Sequence, residues 1–304
     1  MSLAGKRVLV TGSLGFTGHY IVEALQQQGA LVSGCGHKTT LLEKALSYPY
    51  FTMDLTDSLS VKSVIDKVKP QVVVHLAAIS FVGHADAAAF YQVNLLGTYN
   101  LLSVLYECNS EIEKILIASS ANVYGNATAD FIDEQQPYQP ENDYAVSKVA
   151  MEQMAKLWFS RLPIVITRPF NYTGVGQAEH FLIPKIVSHF RSRAERIRLG
   201  NLDVSRDYTD VRRLTQAYVM LLQKPISSVI VNICSGKTWR LDQVMSLCKT
   251  ITGHKIIIDQ DFTLMRGNEI KVLCGDSSLF NDLLGDEITN IPFEKTLEWM
   301  LDEC

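Results

Sequence analysis

Residues 8–18 read Val8-Leu-Val-Thr-Gly-Ser-Leu-Gly-Phe-Thr-Gly18. The apolar triplet Val8, Leu9 and Val10 has the character of a buried strand, and Gly12, Gly15 and Gly18 follow it at three-residue intervals. Residues 18–28 then place Ile21, Val22 and Leu25 on one helical face, and Gly29 suits the helix C-terminus. A strand that runs through a glycine turn directly into a helix predicts a phosphate cradle. Gly12 permits the tight turn, Gly15 lets the backbone approach a pyrophosphate, and Gly18 lets the helix lie close to the strand, with Phe16 at the helix start.

Outward from that turn the chain alternates strand and helix. Further strands are expected at 31–33, 50–53, 72–76, 115–118 and 164–167, with helices at 60–69, 86–108 and 144–159. This rhythm predicts an α/β fold, a Rossmann-type doubly wound parallel sheet covered on both faces. Beyond Pro169 it changes to a Gly-rich loop at 171–177 and a basic helix carrying Arg191, Arg193 and Arg196. Residues 229–233, Val-Ile-Val-Asn-Ile, look like a late strand of the same sheet. The expected division is a dinucleotide-binding domain of 1–170 plus 229–233, and a smaller C-terminal substrate-binding lobe of 171–228 and 234–304.

Composition narrows the function classes. The 304 residues are 47% hydrophobic and 20% charged with a net charge of −4, ordinary for a globular enzyme. With no basic block, nucleic-acid binding is not expected. No apolar run could span a bilayer and no signal peptide is evident, so a cytoplasmic protein without membrane contact is expected. The six cysteines form no Cys-x-x-Cys pair and read as small buried hydrophobes, and the seven histidines do not cluster, so no metal site is expected.

Two further patterns carry chemistry. At the tip of the second strand an acid would bond a ribose 2′-hydroxyl, but no carboxylate lies between Glu23 and Glu43, and Gly36-His37-Lys38 stands there instead. This favours NADP(H), with Lys38 and His37 near a 2′-phosphate and NAD(H) as the alternative. Tyr144-Ala-Val-Ser-Lys148 puts a phenol and an ammonium on one helix face. A phenol with an ordinary pKa of about 10 gains acidity beside an ammonium and can protonate an alkoxide formed by hydride transfer.

The glycine spacing, together with Tyr-x-x-x-Lys, resembles the extended, nucleotide-sugar-modifying branch of the short-chain dehydrogenase/reductases. That resemblance implies that Asp54 and Leu55, and Leu76, Ala77 and Ala78 after the fourth strand, hold the coenzyme's adenine and ribose. It implies a catalytic hydroxyl at Ser120, beside Ser119, in the run Ala118-Ser-Ser-Ala-Asn-Val-Tyr-Gly125. Ser119, Asn94, Tyr144, Lys148 and Arg168 join the expected coenzyme contacts, Asn94 by anchoring a water or carbonyl behind Lys148. Relatives pair helices such as 86–108 and 144–159 into a four-helix bundle, which implies a homodimer.

Residues 200–210, with Gly200-Asn-Leu-Asp203 and Arg206-Asp-Tyr-Thr-Asp210, resemble the GDP-mannose 4,6-dehydratase and GDP-6-deoxy-mannose reductase group, as does Arg266-Gly-Asn-Glu269. The implied substrate is a GDP-sugar, contacted by Ser80, Asn122, Asn171, His180, Asn201, Arg206, Arg266 and Glu269, with Arg206 and Arg266 clamping the diphosphate. Asn122 decides the chemistry, since dehydratases of this branch carry an acid there and asparagine has no proton to exchange. The resemblance therefore implies NAD(P)H-dependent reduction of GDP-4-dehydro-6-deoxy-D-mannose to GDP-6-deoxy-D-mannose (GDP-rhamnose) or GDP-6-deoxy-D-talose, for surface polysaccharide such as lipopolysaccharide. A 4,6-dehydratase or 4-epimerase is the alternative, and a non-catalytic nucleotide sensor a distant one.

Overall fold

A computed structural model describes residues 1–37, 46–80, 86–108, 111–127, 129–264, 270–285 and 288–303. Its strands are β1 (Arg7–Thr11), β2 (Leu31–Gly36), β3 (Tyr50–Thr52), β4 (Val72–His75), β5 (Lys114–Ala118), β6 (Ile164–Pro169), β7 (Asn171–Thr173), β8 (Arg196–Leu199), β9 (Ser205–Asp210), β10 (Val229–Ile233), β11 (Thr238–Arg240), β12 (Ile257–Gln260) and β13 (Val272–Leu273). The helices are α1 (Phe16–Gln27), α2 (Ser58–Val68), α3 (Ala87–Phe90), α4 (Gly97–Cys108), α5 (Asp143–Lys156), α6 (Leu182–Arg191), α7 (Val211–Gln223), α8 (Leu241–Thr252), α9 (Ser278–Leu284) and α10 (Phe293–Glu303).

Seven strands form one sheet in the order β10-β6-β5-β4-β1-β2-β3. The pairs from β3 across to β6 run parallel. Along the far edge Ser228 N–H donates to Ile164 O and Phe170 N–H to Ile233 O, so β10 ascends with β6. Val8, Leu9, Val10, Val72, Val73 and Val74 are fully buried, as strands covered on both faces require. The chain reverses its direction of travel across the sheet between β1 and β4. The carboxyl ends of those strands, at Thr11 and His75, therefore flank the switch point where open α/β sheets bind ligands.

The chain divides into two compact units. The first comprises Met1–Val123, Pro140–Arg168 and Thr215–Val231, and the second Tyr124–Gln139, Pro169–Leu214 and Asn232–Cys304. Relative to the expected boundaries, residues 215–228 go with the first unit, because they lead onto the sheet-edge strand β10, while Tyr124–Gln139 and residues 169–170 and 232–233 go with the second. In the second unit Tyr124 donates its hydroxyl to Asn232 Oδ1 at 2.7 Å, and Ile132 N–H bonds Cys274 O. That unit has its own core, with Phe190, Trp239, Phe293 and Leu297 at its centre. Its strand β9 pairs with β7, β11 and β13, while β8 and β12 form a separate ribbon.

Local structure corrects two expected helices. Residues 86–108 are not uniform: α3 passes into a π-helical turn at Tyr91–Leu96 before α4. The basic helix holds only Arg191, since Arg193 takes a left-handed turn at φ +50° and Arg196 opens β8. Of the cysteines, Cys35, Cys234, Cys248 and Cys274 are buried as expected, but Cys108 is exposed. No helix among the described residues is long and apolar enough to cross a membrane.

Candidate active site

The glycine turn is fixed by contacts a side chain would break. Gly12 has φ +70°, and a Cβ there would lie 3.0 Å from Ala77 N. At Gly18 a Cβ would lie 2.3 Å from Gly12 O and 2.5 Å from Ser13 O, so α1 can start only this close to its own turn if residue 18 has no side chain. Gly15 differs, being exposed, with only Gly12 O within contact at 3.1 Å. It is the N-cap of α1, and neither a capping side chain nor an acid occupies the first helical turn. A cradle open at Gly15, at a helix N-terminus lacking its own anion, fits a dinucleotide's phosphates. Phe16 begins the helix and packs edge-on against Tyr20 at 5.6 Å.

Beneath the cradle a buried hydrogen-bond chain joins β1 to β4 and α4. Ala77 N–H donates to Thr11 Oγ1 (3.1 Å), which lies 2.8 Å from His75 Nδ1. His75 Nε2 lies 2.9 Å from Thr98 Oγ1, and Thr98 donates to Asn94 O at 2.7 Å. Because the Thr98 proton is committed to Asn94, His75 must donate through Nε2 and accept from Thr11 through Nδ1. Burial, with the Lys148 charge as a smaller contribution, pushes the imidazole pKa down to about 3, so His75 is neutral.

Asn94 bonds a backbone carbonyl and a side chain next to Lys148 in sequence. From the π-helical turn its amide accepts from Ile79 N–H (2.9 Å) and donates to Ile79 O (3.1 Å) and Ser147 Oγ (3.0 Å). It thereby pins the loop after β4, where Leu76, Ala77 and Ala78 lie, to α5. A π turn inserts one residue into the helical register, which is how Asn94 comes to point inward.

Helix α5 carries Tyr144 and Lys148, and Asn142 caps its start by accepting from Ala145 N–H at 2.9 Å. Tyr144 is buried, its ring 6.0 Å from that of Phe90 and from Lys148 Nζ. Lys148 Nζ donates to Ala118 O at 2.8 Å, drawing α5 against the end of β5. Burial pulls the ammonium pKa down to about 8, and the charge of Glu152 acts against that fall.

The two serines after β5 part company. Ser119 is buried and its hydroxyl donates to Glu152 Oε1 at 2.5 Å. Ser120 is partly exposed and accepts from Asn122 N–H at 3.2 Å. That contact uses an oxygen lone pair and leaves the hydroxyl proton available, the property a catalytic hydroxyl needs.

Arg168 is also tied to Glu152. Its guanidinium grips the Glu152 carboxylate through Nε at 3.0 and 3.2 Å and through an Nη at 2.6 Å, both side chains being at most 2% exposed. It is therefore held inside the first unit. Leu55 too is core, with its carbonyl accepting from Asn100 at 2.8 Å. At the tip of β2, His37 Nδ1 lies 3.9 Å from Asp54 Oδ2. Asp54 bonds the Thr56 hydroxyl and N–H, and these hold its pKa below the ordinary value, with the His37 charge contributing less. Lys38, Arg266 and Glu269 lie outside the described residues.

In the second unit Asn171 and His180 are exposed and Asn201 is half-buried, while Arg206 spends one Nη on Ser205 O (3.0 Å) and Lys271 O (3.1 Å). Ser80, in the first unit, is exposed after the loop that Asn94 pins. A cavity of about 630 Å³ in the second unit is lined by Gly176, Glu179, Val187, Arg191 and Met300 among others, and by none of the expected substrate residues. Among the described residues no group of three or more His, Cys, Asp or Glu could hold a metal ion. Sequence reasoning missed Glu152, although its i+4 spacing from Lys148 was a usable signal. It also missed Thr11, Thr98 and Ser147, for which no local signal existed.

The GDP-mannose 4,6 dehydratase family profile matches residues 9–300. The chain is 34% identical over 295 residues to the GDP-6-deoxy-D-talose 4-dehydrogenase of Aggregatibacter actinomycetemcomitans, covering 97% of this chain and 96% of that relative. It is 32% identical over 294 residues to the GDP-6-deoxy-D-mannose reductase of Pseudomonas aeruginosa, covering 92% and 91%. The solved structure of a Burkholderia cenocepacia J2315 protein, whose epimerase designation is provisional, is 42% identical and superposes with a TM-score of 0.91 over 99% of this chain and 98% of that one. The structure of RMD from Pseudomonas aeruginosa complexed with NADPH is 29% identical, with a TM-score of 0.82 over 98% of each chain. Fold, glycine cradle and family profile agree: this chain belongs to the GDP-mannose 4,6-dehydratase family of extended short-chain dehydrogenase/reductases.

Proposed function

We propose that the chain reduces the 4-keto group of GDP-4-dehydro-6-deoxy-D-mannose, giving GDP-6-deoxy-D-mannose (GDP-rhamnose) or GDP-6-deoxy-D-talose. The observation that carries this is the buried Tyr144–Lys148 pair on α5 together with Asn122, an amide where a dehydratase needs an acid. The names of the two curated relatives support the GDP-sugar substrate. The NADPH bound to the Pseudomonas structure supports NADP(H), with NAD(H) as the alternative.

In this reading the first unit holds the coenzyme through Gly12, Gly15, Gly18 and the loop after β4, and His37 lies toward a 2′-phosphate. Asn171, His180, Asn201 and Arg206 of the second unit serve the sugar nucleotide. Reduced nicotinamide supplies a hydride when bound. Tyr144 gives its phenolic proton to the substrate oxygen, and Ser120 donates a hydrogen bond to the same oxygen. Lys148 makes that proton easier to give, because an ammonium beside the ring favours the phenolate. With a pKa of about 8 it is still mostly charged at neutral pH. His75, neutral and fully bonded, moves no proton.

The products of such a reaction supply surface polysaccharides, and a cytoplasmic homodimer fits the family. The exposed side chains Leu96, Tyr99 and Tyr106, at the start of and along α4, and Leu157, just past α5, are the faces such a pairing would cover. The test is incubation with NADPH and freshly made 4-keto GDP-sugars, with product stereochemistry read by NMR. Stoichiometric NADPH oxidation supports a reductase, whereas turnover without net oxidation supports the dehydratase or epimerase alternative. Tyr144→Phe should abolish turnover yet bind NADPH, and unchanged turnover would remove Tyr144 from its role.

A further inference from the structure

We propose that Glu152 is a positioning residue that sets the proton affinity of the Tyr144–Lys148 pair, with Arg168 and Ser119 fixing its carboxylate in place. The proposal rests on the reading of Tyr144 as proton donor. Residues 144, 148 and 152 recur at i+4 steps on one face of α5, so phenol, ammonium and carboxylate stand in line along the helix. Glu152 is fully buried and touches Ser119 and Arg168, through four contacts of 2.5–3.2 Å.

Stability alone is a weak reason for such an arrangement. A buried ion pair contributes little over well-packed apolar side chains of the same size, because both ions must be desolvated. What the carboxylate supplies is charge next to a lysine that burial is pushing toward neutrality. Lys148 Nζ donates to Ala118 O, and a carbonyl does not balance a full charge. The ionisable groups facing it are Tyr144 and Glu152 on its own helix, His75 on β4, and Arg168 on β6 by way of Glu152. His75 is neutral, so Glu152 is the one anion acting on the pair among these groups. Asp143, on the same helix, is exposed and accepts from the Tyr91 hydroxyl at 2.8 Å.

The two halves of the ion pair must then act with opposite signs. Removing the carboxylate lowers the pKa of both Lys148 and Tyr144, and removing the guanidinium leaves the carboxylate uncompensated and raises them. The experiment compares Glu152→Gln and Arg168→Gln with wild type, in two readouts. One is the pH profile of kcat, and the other is the ultraviolet tyrosinate titration of the coenzyme-free protein, with Tyr144→Phe subtracted to isolate Tyr144. Glu152→Gln should move the alkaline limb down by about one pH unit or more, and Arg168→Gln should move it up.

A merely structural role predicts loss of activity in both variants with the limb unmoved, or moved in the same direction, and either result overturns the proposal. If one variant does not fold, the sign of the other decides. Tyr144→Phe separates the two levels. Retained turnover there defeats the proton-donor reading itself, whereas a dead Tyr144→Phe with unmoved titrations defeats only the role of Glu152.

Discussion

Replacing Gly18 by alanine would put a methyl carbon 2.3 Å from Gly12 O, 2.5 Å from Ser13 O and 2.6 Å from Ser13 C. All three are backbone atoms of the turn, so no side chain can rotate away and relief requires lifting α1 or opening the turn. Overpacking of this kind costs about 1–3 kcal/mol when side chains can adjust, and the upper end or more is expected where only backbone can move. In a protein of this size each kcal/mol lowers Tm by roughly 2–4 °C, so a fall of about 6–12 °C is expected. Gly15→Ala is the contrasting perturbation. Its methyl would meet only Gly12 O at 3.1 Å, a contact eased by a few tenths of an ångström, and its other side faces solvent. Stability should hold within about 1 kcal/mol, but the methyl would occupy the surface on which the phosphates are proposed to lie, weakening NADPH binding by about tenfold or more. Thermal unfolding and NADPH fluorescence titration on both variants read the two effects separately. A Gly18→Ala protein with wild-type Tm would refute the packing argument, and full NADPH affinity in Gly15→Ala would refute the cradle.

Lys148→Met should raise Tm while abolishing turnover. The folded state depresses the lysine pKa to about 8, so holding the ammonium buried costs stability below that pH, by as much as about 3 kcal/mol. The cost fades as pH rises from 8 toward the unfolded value, so the Tm advantage of the variant should shrink over that range, and an advantage that grew would contradict the assignment. His75 makes the acid side labile: its pKa is about 3 when folded and 6.5 in the reference state, so the unfolded chain binds the extra proton between those values. Stability should decline as pH falls from 6.5 toward 3, and His75→Gln, though less stable at pH 7, should flatten that decline in thermal melts taken across the range. On the proposed assembly face, sedimentation should find a dimer that Tyr106→Glu converts to monomer, and a wild-type monomer at micromolar concentration would dismiss the dimer.

The parts of the site visible in the sequence are those made by neighbours in the chain. The glycine turn needs only residues 8–18, and the phenol–ammonium pair needs only a four-residue spacing, so both read correctly as local patterns. The ion pair of Arg168 with Glu152 was not legible, because its two members lie sixteen residues apart on different elements. Glu152 could have been placed on the same face as Lys148, but its burial depends on how β5 and β6 pack against α5. The π turn was invisible for a different reason. It shifts the helical phase by one residue within an apolar stretch, and Leu95, Leu96 and Leu101 satisfy either phase. The late strand at 229–233 was legible as part of the main sheet, but residues 215–228 were expected in the other lobe, because an amphipathic helix does not announce which unit it packs on.

The run of hydrogen bonds from Ala77 to Asn94 has a single polarity, like a file of water molecules in ice: every donor points the same way along it. One threonine cannot rotate its proton without forcing the imidazole to swap tautomers and its neighbour to turn as well. At its ends a backbone N–H and a backbone carbonyl, neither of which can reverse, lock the orientation. Such a wire is closed to proton traffic, so the buried imidazole at its centre acts as a fixed strut between β1, β4 and α4.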